Sequence, residues 1–264
     1  MRVFLEGVGI AGPGLDGWQA SVPVLAGVAP YVDSLTLASP GPQLPAAERR
    51  RIGIPVKLAL AAGHEAFTHA GRDAAATATV FTSSGGDGDN VNAICAALAQ
   101  AEREMSPTRF HNSVHNAPAG YWGIATRSLY PSTSLCGYDA SFAAGLLETM
   151  AQVTVEGSPV ALIAYDQPYS GPLARVRPIG AEFAVALLCT PRASERSFAC
   201  AAVEYRCAPA NTTQMSDGKL ELLRRSVPAA RCLPLLAALA KATSATVILE
   251  YLAASHLRIS IAPC

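Results

Sequence analysis

Charge is scarce in this 264-residue chain. Asp, Glu, Lys and Arg make up 15% of it, 20 basic residues balance 20 acidic ones, and the pI is near 6.9. A nucleic-acid-binding domain carries a basic face and a pI above about 9, so that class is excluded. Long apolar runs are also missing. No stretch approaches the roughly 18 consecutive apolar residues of a membrane-spanning helix. The N-terminus, with an acid at Glu6, has no apolar run of signal-peptide length. The chain therefore reads as soluble and cytoplasmic, with no membrane span. The seven cysteines (Cys95, Cys136, Cys189, Cys200, Cys207, Cys232, Cys264) include no C-x-x-C pair. Their odd number and scatter give no disulfide framework, and most are expected to be small buried hydrophobes. What is abundant is apolar surface: 50% of the residues are hydrophobic. That is enough to offset ordering entropy and build a compact core.

The order of patterns is mixed. Val3–Gly9 reads as a buried strand ended by Gly12-Pro13-Gly14, with a short helix over about 16–22. Residues 27–47, with Pro30, Pro40, Pro42 and Pro45, read as a long surface loop. A helix spans Ala46–Ala70 with a break or restart at Pro55 and a glycine stop at Gly71. Two strand–turn–helix units follow: strand 76–82, turn 83–88 and helix 90–103, then strand 132–138 running into helix 139–153. Between them lie a loop opened by Ser106-Pro107 and a helix over 117–126. Strands are expected over 160–165, 183–189 and 198–205, helices over 220–225 and 232–242, and closing strands over 246–252 and 257–261. No repeat or linker divides the chain, so the class is α/β with a mixed sheet in a single domain.

Four motifs carry possible chemistry. Gly7-Val8-Gly9-Ile10-Ala11-Gly12 fits G-x-G-x-x-G after a strand, which on a helix N-terminus would bind a dinucleotide. Pro13-Gly14 interrupts the required helix, so a glycine-rich turn is the stronger reading. Ser83-Ser84-Gly85-Gly86 lacks the Gly-Lys-Ser/Thr of a phosphate loop and reads as a point of close backbone packing. His111 and His115, four apart, would share a helix face and could pair on a metal. No Glu, Cys or other carboxylate accompanies them, so a polar loop or interface is favoured and no metal is expected. Cys136 lies where a strand meets a helix, a place where the helix dipole activates a thiol. The alternative is an ordinary cysteine beside the turn, with Asp139 as the helix N-cap.

Together these segments resemble the ketosynthases of the thiolase superfamily. The resemblance is closest to the short β-ketoacyl synthase-like chain-length factors of aryl-polyene and xanthomonadin-type pathways. It is collinear: Val3–Gly14 resembles the family's first strand and turn, Arg49–Gly71 its early helix, and Val80–Gly88 the next strand and glycine turn. Phe110–Asn116 with Ala117–Gly123 resembles its interface helix, Pro131–Glu148 its strand and nucleophile elbow, and Val160–Tyr165 and Gly180–Cys189 the following strands. The resemblance implies a truncated thiolase-like α/β fold with a mixed central sheet covered by helices. Residues 1–205 correspond to the ketosynthase N-terminal half and 206–264 to an abbreviated remnant.

Departures from the family set the functional expectation. Laying its Thr-Ala-Cys on Thr133-Ser134-Leu135 puts Leu135 at the nucleophile position, with Cys136 one residue late. The two catalytic histidines of the family's C-terminal half are missing too: His256 is the only histidine after His115, outside any His-Gly-Thr motif. The resemblance thus implies a non-catalytic chain-length factor, with Leu135 as a vestigial nucleophile position. It would pair with an active β-ketoacyl synthase in type II fatty acid or polyketide biosynthesis and receive chains from an acyl carrier protein, with no cofactor of its own. His111, His115, Asn116, Tyr121 and Trp122 would then lie at the interface or tunnel. Two alternatives stand beside it: an acyl-thioester enzyme using Cys136 with His111 or His115 as base, and a nucleotide-binding protein using Gly7–Gly12.

Overall fold

The structure is a computed structural model and describes residues 1–39, 41 and 43–264. Pro40 and Pro42, named above as loop markers, lie outside the described residues. The core is a nine-stranded mixed sheet. Strands β1 (Arg2–Gly12), the two-residue β2 (Leu15–Asp16), β3 (Ala78–Thr82), β4 (Ser132–Leu135), β5 (Val160–Asp166), β6 (Phe183–Thr190), β7 (Ala199–Arg206), β8 (Ala245–Glu250) and β9 (His256–Pro263) lie in the order β4-β3-β5-β6-β1-β7-β9-β8, with β2 folded onto β1. The β4-β3-β5 trio is parallel and all other pairings are antiparallel. β4 and β8 are the edges. Residues 206–264 thus extend the same sheet through β8 and β9.

The expected elements recur close to their expected bounds. β5 and β6 are buried at every position, as their unbroken apolar runs require of strands covered on both faces. The long early helix is split as Pro55 foretold, into α2 (Ala46–Arg49) and α3 (Ile54–Ala70). Pro55 sits in the first turn of α3, and Gly71 stops it at φ 59°. α3 lies on one face of the sheet, over β1, β5 and β6, with α6 (Ala117–Thr126) beside it. The other face is covered by α7 (Ser141–Glu156), the 3-10 turn Ala229–Cys232 and α10 (Leu233–Ala240), with α1 (Trp18–Leu25) packed on α10. α4 (Gly88–Leu98), α5 (Pro107–Asn112), α8 (Gly171–Val176) and α9 (Gly218–Ser226) complete the chain.

Several expectations are corrected. Gly7–Gly12 is neither a turn nor a nucleotide loop but the second half of β1. A Cβ on Gly7 or Gly9 would collide with the carbonyl oxygens of Ala66 or Ala62, so these glycines let α3 lie directly against the strand. Ser106-Pro107 opens a helix rather than a loop: the Ser106 hydroxyl accepts from Arg109 N and Pro107 takes the first turn. β4 leaves the sheet after Leu135, three residues early, and α4 stops at Leu98, short of Arg103. Asp139 is not the N-cap of α7. That place falls to Ala140, and the Asp139 carboxylate is taken by Arg177 and Arg231. Four cysteines (Cys95, Cys136, Cys207, Cys264) are exposed and only Cys189, Cys200 and Cys232 are buried.

Candidate functional site

The carboxyl ends of β3, β4 and β5 converge on one loop, Ser83–Gly86. β5 ends in Asp166, a fully buried carboxylate at the end of an apolar strand. Its Oδ1 accepts hydrogen bonds from Ser83 Oγ (3.1 Å), Ser84 N (2.9 Å) and Ser84 Oγ (2.7 Å), and its Oδ2 accepts one from Ala229 N (2.8 Å). Burial pushes the carboxyl up to about 6 against the pull of these four bonds. The glycines do what was expected of them: a Cβ on Gly85 or Gly88 would strike the Tyr169 ring. The loop is therefore pressed between Tyr169 and Asp166.

Cys136 and His115 both reach this loop, but not each other. The Cys136 thiol donates to Ser84 O at 3.3 Å, and His115 Nε2 lies 3.3 Å from Ser83 O. The thiol is directed at a backbone carbonyl, and among the described residues no hydrogen bond joins it to an imidazole, so the hydrogen-bonded nucleophile–base pair of the thioester-enzyme alternative is not assembled in this arrangement. His111 lies elsewhere. α5 ends at Asn112, so His111 and His115 do not share a helix face, and the His111 ring meets Tyr121 edge-on with centroids 6.1 Å apart. Among the described residues no group of three or more His, Cys, Asp or Glu could hold a metal.

The strand-to-helix turn itself reverses later than expected. Leu135 closes β4 and packs against the core, and the left-handed residue is Tyr138, at φ 54°. The Tyr138 ring is 60% exposed and lies under the Arg177 guanidinium, 3.5 Å from ring centroid to Cζ. Arg177 also donates to Asp139 Oδ1 (2.7 Å), while Arg231 bridges Asp139 Oδ2 (3.1 Å) and Glu250 (2.6 Å). Pattern reading named none of Tyr138, Arg177, Arg231 or Asp166. The one available signal was a carboxylate terminating the apolar run Val160–Tyr165.

A second feature lies beside β4. α5 and α6 enclose an open groove of ≈ 550 Å³ lined by Phe110, His111, Val114, Asn116, Gly120, Tyr121 and Ile124, among others. Its walls are apolar, with Phe110, Val114 and Ile124 each about half exposed or more. Asn116 precedes α6 and Tyr121 forms part of the lining, its hydroxyl donating to Asn112 Oδ1 at 2.9 Å. Trp122 points the other way. It is 2% exposed, packed against His64, Phe67 and Phe81, and a Cβ on Gly63 would meet it at 2.6 Å. Trp122 is a core residue, and Phe110, Val114 and Ile124 are the side chains that face outward in its stead.

The model of the β-ketoacyl synthase N-terminal domain matches residues 29–248, and the chain belongs to that family. No curated protein sequence matches it. Among solved structures it is similar to a ketosynthase (ApeO) in complex with its chain length factor (ApeC) from Xenorhabdus doucetiae. That match has TM-score 0.75 and 19% identity, over 98% of this chain and 99% of that one. It is similar also to the ishigamide ketosynthase/chain length factor (TM-score 0.71, 15% identity, 100% and 99% covered). A third likeness is to a type II polyketide synthase acyl-carrier protein in complex with its ketosynthase (TM-score 0.73, 12% identity, 100% and 99% covered). These likenesses are of fold: the mixed sheet and its covering helices are those of a thiolase-like ketosynthase. Among the described residues no helix is long and apolar enough to cross a membrane.

Proposed function

We propose that this chain is the non-catalytic, chain-length-factor-type subunit of a β-ketoacyl synthase heterodimer in type II fatty acid or polyketide biosynthesis. Its pathway in this reading makes an aryl polyene in the cytoplasm. The observation that carries the proposal is the pairing of a sheet edge with an apolar groove. Among the described residues β4 has β3 as its one strand neighbour, and Phe110 on α5, Val114 in the turn between α5 and α6, and Ile124 on α6 stand exposed around the groove. Uncovered edges and clustered apolar side chains are a liability in a lone protein and the normal anatomy of a subunit interface. In this reading the partner supplies nucleophile and histidines, an acyl carrier protein delivers the chain, and Asn116, Tyr121 and His111 line the shared wall. The fold kept without a thiol–imidazole pair supports a partner rather than a catalyst. The chain needs no cofactor for that role.

Native mass spectrometry of the chain co-expressed with each ketosynthase encoded near its gene tests this. The expected result is a one-to-one complex whose condensing activity neither chain has alone. A protein that pairs with none of them and turns over acyl thioesters by itself would refute it.

A further inference from the structure

Two thiols and a guanidinium meet where β1, β7 and β9 lie side by side, on the sheet face opposite α10. We infer that Cys200 and Cys264 are a redox pair that a peroxide closes into a reversible disulfide, with Arg2 holding the Cys200 sulfur as the first nucleophile. This pair does not depend on the proposed function.

Strand register brings the pair together. Cys200 of β7 lies opposite Phe4 of β1 on one side and Ala262 of β9 on the other. Side chains alternate along a strand, and Ala201, Val203, Ile259 and Ile261 belong to the core cluster that includes α10, so Cys200 and Ala262 point the other way. Cys264 N donates to Phe198 O at 3.2 Å, which continues the ladder past Pro263 and keeps Cys264 on the face of Cys200. The two cysteines are thus diagonal neighbours. Diagonal Cα atoms lie about 7–8 Å apart and a disulfide needs less than about 7 Å, so Cys264 must shift by about 1–2 Å. It is placed to do so, being exposed and beyond the last residue of β9. No other two of the seven cysteines share a face of neighbouring strands: Cys189 of β6 points into the α10 cluster, and the rest lie outside the strands.

Arg2 distinguishes the two sulfurs. Its Nε donates to Cys200 Sγ at 2.9 Å, and its Cζ lies 5.7 Å from the Phe4 ring centroid, so the guanidinium is held between ring and sulfur. A cation against sulfur suits a cysteine that attacks, because the thiolate and not the thiol is the nucleophile. Cys200 is 8% exposed, an opening for a molecule little larger than water. Desolvation, then the neighbouring Cys200 sulfur, raise the Cys264 thiol above its ordinary range, which suits it to react second.

The chemistry balances with hydrogen peroxide as oxidant. The Cys200 thiolate attacks one peroxide oxygen, an S–O bond forms, the O–O bond breaks, and the departing hydroxide takes up the proton that the thiol released. The Cys264 sulfur then attacks the Cys200 sulfenic acid. An S–S bond forms, the S–O bond breaks, and a second water leaves with the Cys264 proton. Two thiols lose two electrons and two protons, and one peroxide becomes two waters. A dithiol reverses the bond by exchange.

The test treats the reduced full chain with a small excess of hydrogen peroxide, blocks remaining thiols with N-ethylmaleimide and maps tryptic peptides by mass. Residues 197–206 carry Cys200 alone, and the peptide that begins at Ile259 carries Cys264. These two peptides are expected to be joined with loss of two hydrogens, within single chains on a nonreducing gel, and parted again by dithiothreitol. Cys264→Ser should instead leave a sulfenic acid on Cys200 that dimedone traps. Arg2→Gln should slow the link at least about tenfold, and Arg2→Lys, which keeps the charge, should recover most of that rate. No link between the two peptides, a faster link from Cys264 to Cys207 or to a second chain, or a rate indifferent to Arg2 would overturn the assignment.

Discussion

Asp166 is where removal of one side chain should reveal most about how the site is held. Its two oxygens serve two parts of the chain: Oδ1 holds the Ser83–Ser84 loop and Oδ2 holds Ala229 N at the head of the C-terminal 3-10 turn. Asp166→Ala strands two buried backbone N–H groups, each costing about 1–3 kcal/mol, for a loss of about 2–6 kcal/mol. Asp166→Asn keeps an acceptor for one side only and turns its NH2 toward the other donor, so it should cost about half as much. The pH dependence separates this account from simple packing loss. The folded carboxyl titrates at about 6, above its ordinary value of 3.8. Because the folded pKa is raised, the folded state binds this proton more tightly. The stability from the group is therefore full below about pH 4 and lost as pH rises through about 6. Two pKa units correspond to about 3 kcal/mol. Asn does not titrate, so the gap between wild type and Asp166→Asn should narrow by up to about 3 kcal/mol between pH 4 and 7.5. Urea denaturation at a series of pH values measures it, and subtracting the variant cancels every other titrating group. A gap that stays constant, or widens with pH, would refute the reasoning.

Other outcomes follow from the same geometry. Trp122→Ala should destabilise the monomer by about 3–5 kcal/mol, seen as a lower urea midpoint, because the ring fills the core beside Gly63 rather than an interface. Phe110→Asp with Ile124→Asp should leave the monomer's stability within about 0.5 kcal/mol per site, yet weaken the ketosynthase complex by about 30-fold or more in native mass spectrometry. Under native conditions iodoacetamide should add to Cys95, Cys136, Cys207 and Cys264, whereas Cys189, Cys200 and Cys232 should react only after denaturation. Peptide mapping reads the difference directly.

The sequence carried the fold further than the site. Val160–Tyr165 read as an apolar strand, Pro55 as a break or restart of a helix and Gly71 as its stop, and each was found in place because each is a local rule obeyed locally. Gly7 and Gly9 were misread because glycine between strand residues and glycine in a turn look alike until α3 is seen lying on them. The helix face that would have paired His111 with His115 on a metal, already the weaker reading beside a polar loop or interface, does not form, because α5 ends at Asn112, before the second histidine. The site failed for a different reason. Asp166 meets Ser84 across 82 residues and Ala229 across 63, and Arg231 meets Asp139 across 92. No periodicity spans such distances. The groove was half legible: the segment His111–Gly123 supplies much of its lining, but which face of α6 looks outward depends on what α3 does with Trp122.

Those long-range bonds also bear on what residues beyond 205 do. In the ketosynthases that the sequence resembles, the C-terminal half brings histidines to the nucleophile. Here the sole histidine of that region, His256, opens β9 with its Nδ1 2.7 Å from Ala208 O, leaving the turn to other groups. What reaches the turn instead is Ala229 N, gripping Asp166, and Arg231, gripping Asp139 and leaning on Glu250 at the end of β8. The first bond is buried and worth the cost of an orphaned donor. The second, between partly exposed groups, contributes about 1 kcal/mol or less. The first ties a backbone N–H to the end of β5, and the second ties two side chains across the turn. The segment's contribution is to hold the loops at the carboxyl ends of β3, β4 and β5. It also predicts where tolerance ends. Substitutions along the exposed positions of β8 and β9 should be mild, whereas those that shift the turn Ala229–Cys232 should loosen the Ser83–Ser84 loop and the Tyr138 turn together.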